Sequence, residues 1–226
     1  MPEGRQVPGQ YSGTVTTHVE LQYLLYLPEG YAASKHAWPL VLFLHGMGER
    51  GKDLNLVKRH GPPALADKGT QYPFILLSPQ CPDDEFWSVP ALKALLDDVE
   101  RRHRVDPARV YVTGLSMGGN GTWRLAAAYP DHFAAIVPIC GWGDTAAAAA
   151  MKDIPAWVFH GQKDPVVPVD RSNAIVRALR AVGADVRLTV YPEAGHDAWS
   201  ETYRNQELFQ WLMAQKRPSA RGSAGK

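Results

Sequence analysis

RVYVTGLSMGGNGTW, residues 109–123, decides how this chain is read. Its first seven residues form a mostly apolar run bounded by glycine, the pattern of a strand buried on both faces of a parallel sheet. From Met117 the pattern turns helical and runs to Tyr129, where Pro130 stops it. Ser116 therefore stands between a strand and a helix, inside Gly114-Leu115-Ser116-Met117-Gly118. A turn that tight strains the serine backbone, requires small neighbours and exposes the hydroxyl above the sheet. The bland reading is a helix-capping serine; the strand before it and the helix after it favour a nucleophile.

The same alternation extends in both directions. PLVLFLHG, FILLSPQ, AAIVPICG, AWVFHG and VRLTVY are further short apolar runs bounded by Gly, Pro or Asp. Between them, helical spacing is carried by Ala91, Leu92, Leu95, Leu96 and Val99 behind Pro90, by residues 171–182 ahead of Gly183, and by residues 201–215. Upstream, VELQYLLYLP alternates, with Val19, Leu21, Tyr23 and Leu25 on one face, as in an antiparallel edge strand. The predicted fold is α/β, a doubly wound and mostly parallel sheet with an antiparallel N-terminal edge and right-handed crossovers. Its chemistry belongs at the carboxyl ends of the strands. Residues 11–216 make one catalytic domain on this reading. Residues 1–10 and 217–226, rich in Gly, Pro, Ser and charge, read as flexible ends.

Charge excludes some functions. The 24 Lys and Arg balance 23 Asp and Glu and are scattered, which argues against nucleic acid or an anionic membrane as partner. No apolar run approaches the roughly 18 residues that cross a bilayer. With no secretory signal in MPEGRQVPGQYSG, the expectation is a cytoplasmic protein, or a secreted one if a signal has been removed. Cys81 and Cys140 show no metal-ligand spacing and read as free thiols. No metal or cofactor is expected, and the oligomeric state is left open.

A serine hydroxyl is a weak nucleophile and needs a base, which in turn needs an orienting group. PEAGHDAW places His196 in the loop beyond the last strand, and GQKDPVVP places Asp164 in the loop after AWVFHG. The order Ser, Asp, His is that of the α/β-hydrolase fold. Asp144, which also follows a strand, is the main rival for the acid; Asp170, Glu193 and Asp197 fit less well by position. His45 and His160 end buried strands beside glycines and read as structural hydrogen-bonding groups. The developing oxyanion needs two donors. One is the Met117 backbone N–H; the other comes from His45-Gly46-Met47-Gly48, with Met47 favoured over Gly46. Trp87, Trp142 and Trp199 follow strand ends or the base, so they are candidates for an aromatic substrate pocket, against the alternative of packing.

VLFLHGMGERG, DPARVYVTGLSMGGNGTWRLAAAYPDHFAAIVPICG, VFHGQKDPVVP and PEAGHDAW resemble the single-domain esterases of the α/β-hydrolase superfamily, over about Pro39 to Trp211. The likeness is to bacterial carboxylesterases of the branch with dienelactone hydrolase-like, phospholipase/carboxylesterase-like, polyhydroxybutyrate depolymerase-like and feruloyl esterase-like proteins. It implies metal-free ester hydrolysis by Ser116, Asp164 and His196, with Met47 and Met117 in the oxyanion-hole positions. Dienelactone hydrolases use a cysteine nucleophile; this motif carries Ser116 instead. Prolyl oligopeptidase-type domains are also similar, but the chain has no room for their large gating domain. Lipase-like caps resemble longer insertions than GWGDTAAAAAMKDI, so no large cap is expected, and small-molecule esters with short to medium or aromatic acyl groups are the implied substrates. A thioesterase or peptidase-type acyl hydrolase is the enzyme alternative, and a catalytically silent binding protein the alternative of another class.

Overall fold

Leu40 to Leu44 are wholly buried, and their side chains alternate between two separate cores. Leu40, Leu42 and Leu44 enter one, Val41 and Phe43 the other, which is why the run lacks polar positions. This strand, β2 (Trp38–Leu44), lies within a seven-stranded sheet that also contains β1 (Tyr23–Tyr26), β3 (Ile75–Pro79), β4 (Val105–Leu115), β5 (Ala135–Ile139), β6 (Ala156–Gly161) and β7 (Val186–Tyr191). The order across the sheet is β1-β3-β2-β4-β5-β6-β7, and every pairing is parallel except β1 with β3. The computed structural model describes residue 16 and residues 18–218. The expected flexible ends lie outside those residues, apart from Arg217 and Pro218; the Arg217 N–H donates to Ala108 O at 2.9 Å.

Helices α2 (Val89–Arg102), α3 (Met117–Ala128) and α4 (Asp170–Ala181) cover the Leu40 face. On the Val41 face lie α1 (Gly61–Asp67) and α6 (Gln206–Ala214). Ser88 caps α2 by accepting the Ala91 N–H, and Gly183, at φ +81°, takes the chain out of α4.

Three elements depart from expectation. The edge strand is shorter than the alternation suggested: Leu21, Tyr23 and Leu25 pack on one core, but Val19 is exposed. The continuous helix expected over 201–215 is two, α5 (Trp199–Thr202) and α6, because Asn205 accepts the Glu207 N–H and starts a new helix. Helix α1 is not among the helices expected from the sequence; it begins at Gly61-Pro62-Pro63, where the prolines occupy a first turn that needs no N–H acceptors.

Candidate active site

Ser116 sits at φ 53°, ψ −115°, a left-handed conformation that a non-glycine residue adopts only under constraint. Two backbone bonds hold it: its N–H donates to Ile139 O (2.9 Å) and its carbonyl accepts the Asn120 N–H (3.0 Å). The turn needs glycine at 118, where a Cβ would fall 1.9 Å from Leu44 O. Strand β4 and helix α3 thus pack the turn against the end of β2, with Ser116 itself partly exposed.

His196 Nε2 lies 2.9 Å from Ser116 Oγ, and His196 Nδ1 lies 2.7 Å from Asp164 Oδ2. With Nδ1–H donating to the carboxylate, Nε2 is left to accept the serine proton. Burial alone would raise the Asp164 pKa; bonds from His196 and from the Val167 and Val166 amides outweigh it and hold the carboxyl below the usual range. Its Oδ1 accepts those two N–H groups at 2.9 and 2.8 Å. His160 Nε2 stands 3.2 Å from Asp164 Oδ2 and 2.8 Å from Val167 O, while its Nδ1 meets Ser172 Oγ at 2.8 Å. Fully buried, this ring has its pKa lowered by desolvation and fixes the acid loop.

Three of the four rivals for the acid are engaged elsewhere. Asp144 caps the 3-10 helix Thr145–Met151 by accepting the Ala146 N–H, Glu193 pairs with Lys163, and Asp170 meets Asn173 Nδ2 at 3.3 Å. Both cysteines are free and buried, and Cys140 lies under the pair, its thiol pushed up to about 12 by burial. Ligand atoms of Cys140, Asp164 and His196 lie within 4.8 Å of one another. Using them as metal ligands would require breaking the 2.7 Å His196–Asp164 bond, so the arrangement suits proton transfer.

The loop after β2 is tied down atom by atom. The Gly46 N–H donates to Glu49 Oε2 at 3.1 Å, so that N–H is already paired. The Gly46 carbonyl meets His45 Nδ1 at 2.6 Å, while His45 Nε2 accepts the Cys81 N–H at 3.0 Å, so the proton is on Nδ1. Burial pulls the His45 pKa down to about 4, and the ring is neutral near pH 7. In a planar trans peptide, a carbonyl held on one side sends the next N–H to the other. Met47 begins a 3-10 helix, Met47–Glu49, and Met117 begins α3, so both N–H groups are first-turn donors without a partner inside their own helix.

These residues open on a cavity of about 660 Å³. Trp142 and Trp199 line it with Met47, Leu115 and Val166, and the Trp199 ring stands edge-on to His196 at 5.2 Å between centroids. Asn120 Nδ2 donates to Trp142 O (2.8 Å) and steadies that wall. Trp87 requires correction: it is buried behind the site, where Nε1 donates to His45 O (3.1 Å), and it does not line this cavity. An indole N–H in a core must find an acceptor, and here a loop carbonyl supplies it. Sequence reasoning missed Glu49, His60 and Arg171, which also line the cavity. For Glu49 the signal was its place three residues after the helix-capping Gly46, a spacing that lets a carboxyl group reach back; His60 and Arg171 belong to no motif.

Among the described residues no helix is long and apolar enough to cross a membrane. The sequence signature of the dienelactone hydrolase family matches residues 82–211, more than half of the chain. Poly(3-hydroxyalkanoate) depolymerase C of Paucimonas lemoignei is 32% identical over 58% of this chain and 34% of its own length. Acyl-protein thioesterase 1 of Gibberella zeae is 29% identical over 46% of this chain and 47% of its own. The chain thus spans half or less of these two curated relatives. A thermostable esterase of known crystal structure superposes with a TM-score of 0.76 at 37% identity, covering 89% of this chain and 60% of that one.

Proposed function

The chain belongs to the dienelactone hydrolase family, and from that premise we propose that it is a serine carboxylesterase working through an acyl-enzyme on Ser116. One observation carries the reading: the unbroken line from Asp164 Oδ2 through both His196 nitrogens to Ser116 Oγ, with bonds of 2.7 and 2.9 Å. Ser116 Oγ attacks the ester carbonyl as His196 Nε2 takes its proton, and Asp164 steadies the imidazolium. The N–H groups of Met47 and Met117 receive the oxyanion. Collapse of the tetrahedral intermediate expels the alcohol with the proton from His196. Water then attacks the acyl-enzyme by the same route, releasing the acid and restoring Ser116.

A cavity of about 660 Å³ suits a small-molecule ester. Its tryptophan walls favour short to medium or aromatic acyl groups, and the link from β5 to β6 carries only the 3-10 helix Thr145–Met151, well short of a cap. The thioesterase relative makes thioesters the second substrate class to assay. The test is turnover of activated oxyesters and thioesters by wild type and Ser116→Ala, with mass spectrometry of the trapped acyl-enzyme. Ser116→Ala is expected to lose at least roughly 10³-fold in kcat. Retained turnover in that variant, or an acyl adduct on another residue, sinks the reading.

A further inference from the structure

Glu49 is a buried carboxyl residue, 6% exposed, on the rim of a reactive site whose chemistry does not call on it. Oε2 accepts the Gly46 N–H at 3.1 Å, and Oε1 stands 3.7 Å from His60 Nε2, beyond hydrogen-bond length. Its backbone carbonyl accepts Gln80 Nε2 at 2.9 Å, so the residue is anchored from below while its side chain reaches back across the loop. A Cβ built on Gly46 would lie 3.2 Å from Glu49 Oε2 and 3.7 Å from Ser116 Cβ, so the carboxyl group and the nucleophile flank the same glycine.

We propose that Glu49 is a positioning residue: it holds the Gly46 N–H so that the loop presents the Met47 N–H, and not the Gly46 N–H, to the oxyanion. The inference rests on the esterase reading above and adds to it the group that selects the donor. Three atoms define the Gly46 unit. Glu49 takes its N–H, His45 takes its carbonyl, and the Met47 N–H, across the same peptide plane from that carbonyl, faces the other way. Without the carboxyl acceptor a buried N–H is left unpaired, and the loop relaxes by turning that peptide toward the cavity. The loss then falls on the transition state, where the oxyanion develops, and not on ground-state binding.

Three variants separate acceptor, charge and bulk. Glu49→Gln keeps an acceptor oxygen at the same reach, Glu49→Met keeps the length without an acceptor, and Glu49→Asp keeps the carboxyl group but withdraws it by one methylene. Against an activated ester, Glu49→Met and Glu49→Asp are expected to lose about 10–100-fold in kcat, less than the roughly 10²–10³ for outright loss of a donor, with KM within about threefold. The inhibition constant of an alkyl boronic acid, which forms a tetrahedral adduct with Ser116, should weaken by a matching factor. Glu49→Gln should restore kcat to within about threefold of wild type. A residue that merely supported the fold would lower the melting temperature and the active fraction, but not kcat per titrated site or boronate affinity. Glu49→Asp stands in if Glu49→Met does not fold. Unchanged kcat per site in the acceptor-deficient variants, or a tenfold loss in folded Glu49→Gln, overturns the proposal while leaving the esterase reading intact. Absence of ester turnover and boronate binding in wild type overturns both.

Discussion

The floor beneath Ser116 and the wall across the cavity are built on opposite terms. On the floor, backbone touches backbone: a Cβ at Gly118 would sit 1.9 Å from Leu44 O, and one at Gly161 2.0 Å from Gly195 O. On the wall, Met47 is 46% exposed and Val166 65%, and side chains there face solvent with space to move. Contacts between rigid backbones cannot be relieved by changing a rotamer, whereas contacts among exposed side chains can. Reaction geometry is thus held where substitution is least tolerated. On the proposed function, substrate preference would lie where substitution is easily absorbed.

Gly118→Ala should break the floor outright. The new Cβ also falls 2.5 Å from Leu44 C, so α3 must lift from β2, with a loss of about 3 kcal/mol or more and of ester turnover. Urea unfolding of the variant checks this; stability within about 1 kcal/mol of wild type would show the floor to be as adaptable as the wall. Met47 belongs to both regions, its side chain to the wall and its N–H to the proposed oxyanion hole. Met47→Pro should lower kcat by about 10²–10³ with little change in KM, whereas Met47→Ala keeps the donor and most of kcat. Proline fits there, since Met47 opens a 3-10 helix and Gly46 before it is extended at φ −80°, ψ −172°. Equal kcat in the two variants would remove Met47 from the oxyanion hole.

A pH series separates the regions by a smaller effect. Burial holds His45 at about 4 against an ordinary 6.5, so the unfolded chain binds its proton first. Its contribution is complete above 6.5 and is lost as pH falls toward 4, by on the order of 3 kcal/mol, and His160 acts in the same direction. Asp164, held below the carboxylate range, keeps its contribution until the pH falls below about 4. His45→Gln should therefore flatten the fall in urea midpoint between about pH 7 and 4.5; an unchanged slope would assign that fall to other groups. The wall should show the smallest effect. Trp142→Ala and Trp199→Ala are expected to lower the preference for aromatic over matched aliphatic esters by up to about tenfold. Equal loss on both series would make these residues packing, as Trp87 proved to be.

How much of the site could be read in advance followed the range of the interactions involved. Ser116 announces itself through five consecutive residues, because a strand-to-helix turn is a local steric problem. His196 and Asp164 were legible because each follows a strand-like run in the sequence, and parallel strands deliver their carboxyl ends to one edge of the sheet. Trp87 follows β3 in the same way, yet the chain folds back and its indole turns into the core to reach His45 O. Glu49 was passed over because its partner is a backbone N–H, which every residue but proline offers.

By itself the sequence determined the order and kind of most of the strands and helices, the strained serine and the small set of groups able to serve it, since periodicity, glycine placement and turn chemistry act over a few residues. The tertiary structure alone decided that Asp164 and not Asp144 meets His196, that Glu49 occupies the Gly46 N–H, and that two of three tryptophans reach the cavity. Ser116 and His196 are 80 residues apart, and Asp164 and His196 are 32. Such contacts depend on where whole strands and loops come to rest against one another, at distances no local pattern encodes.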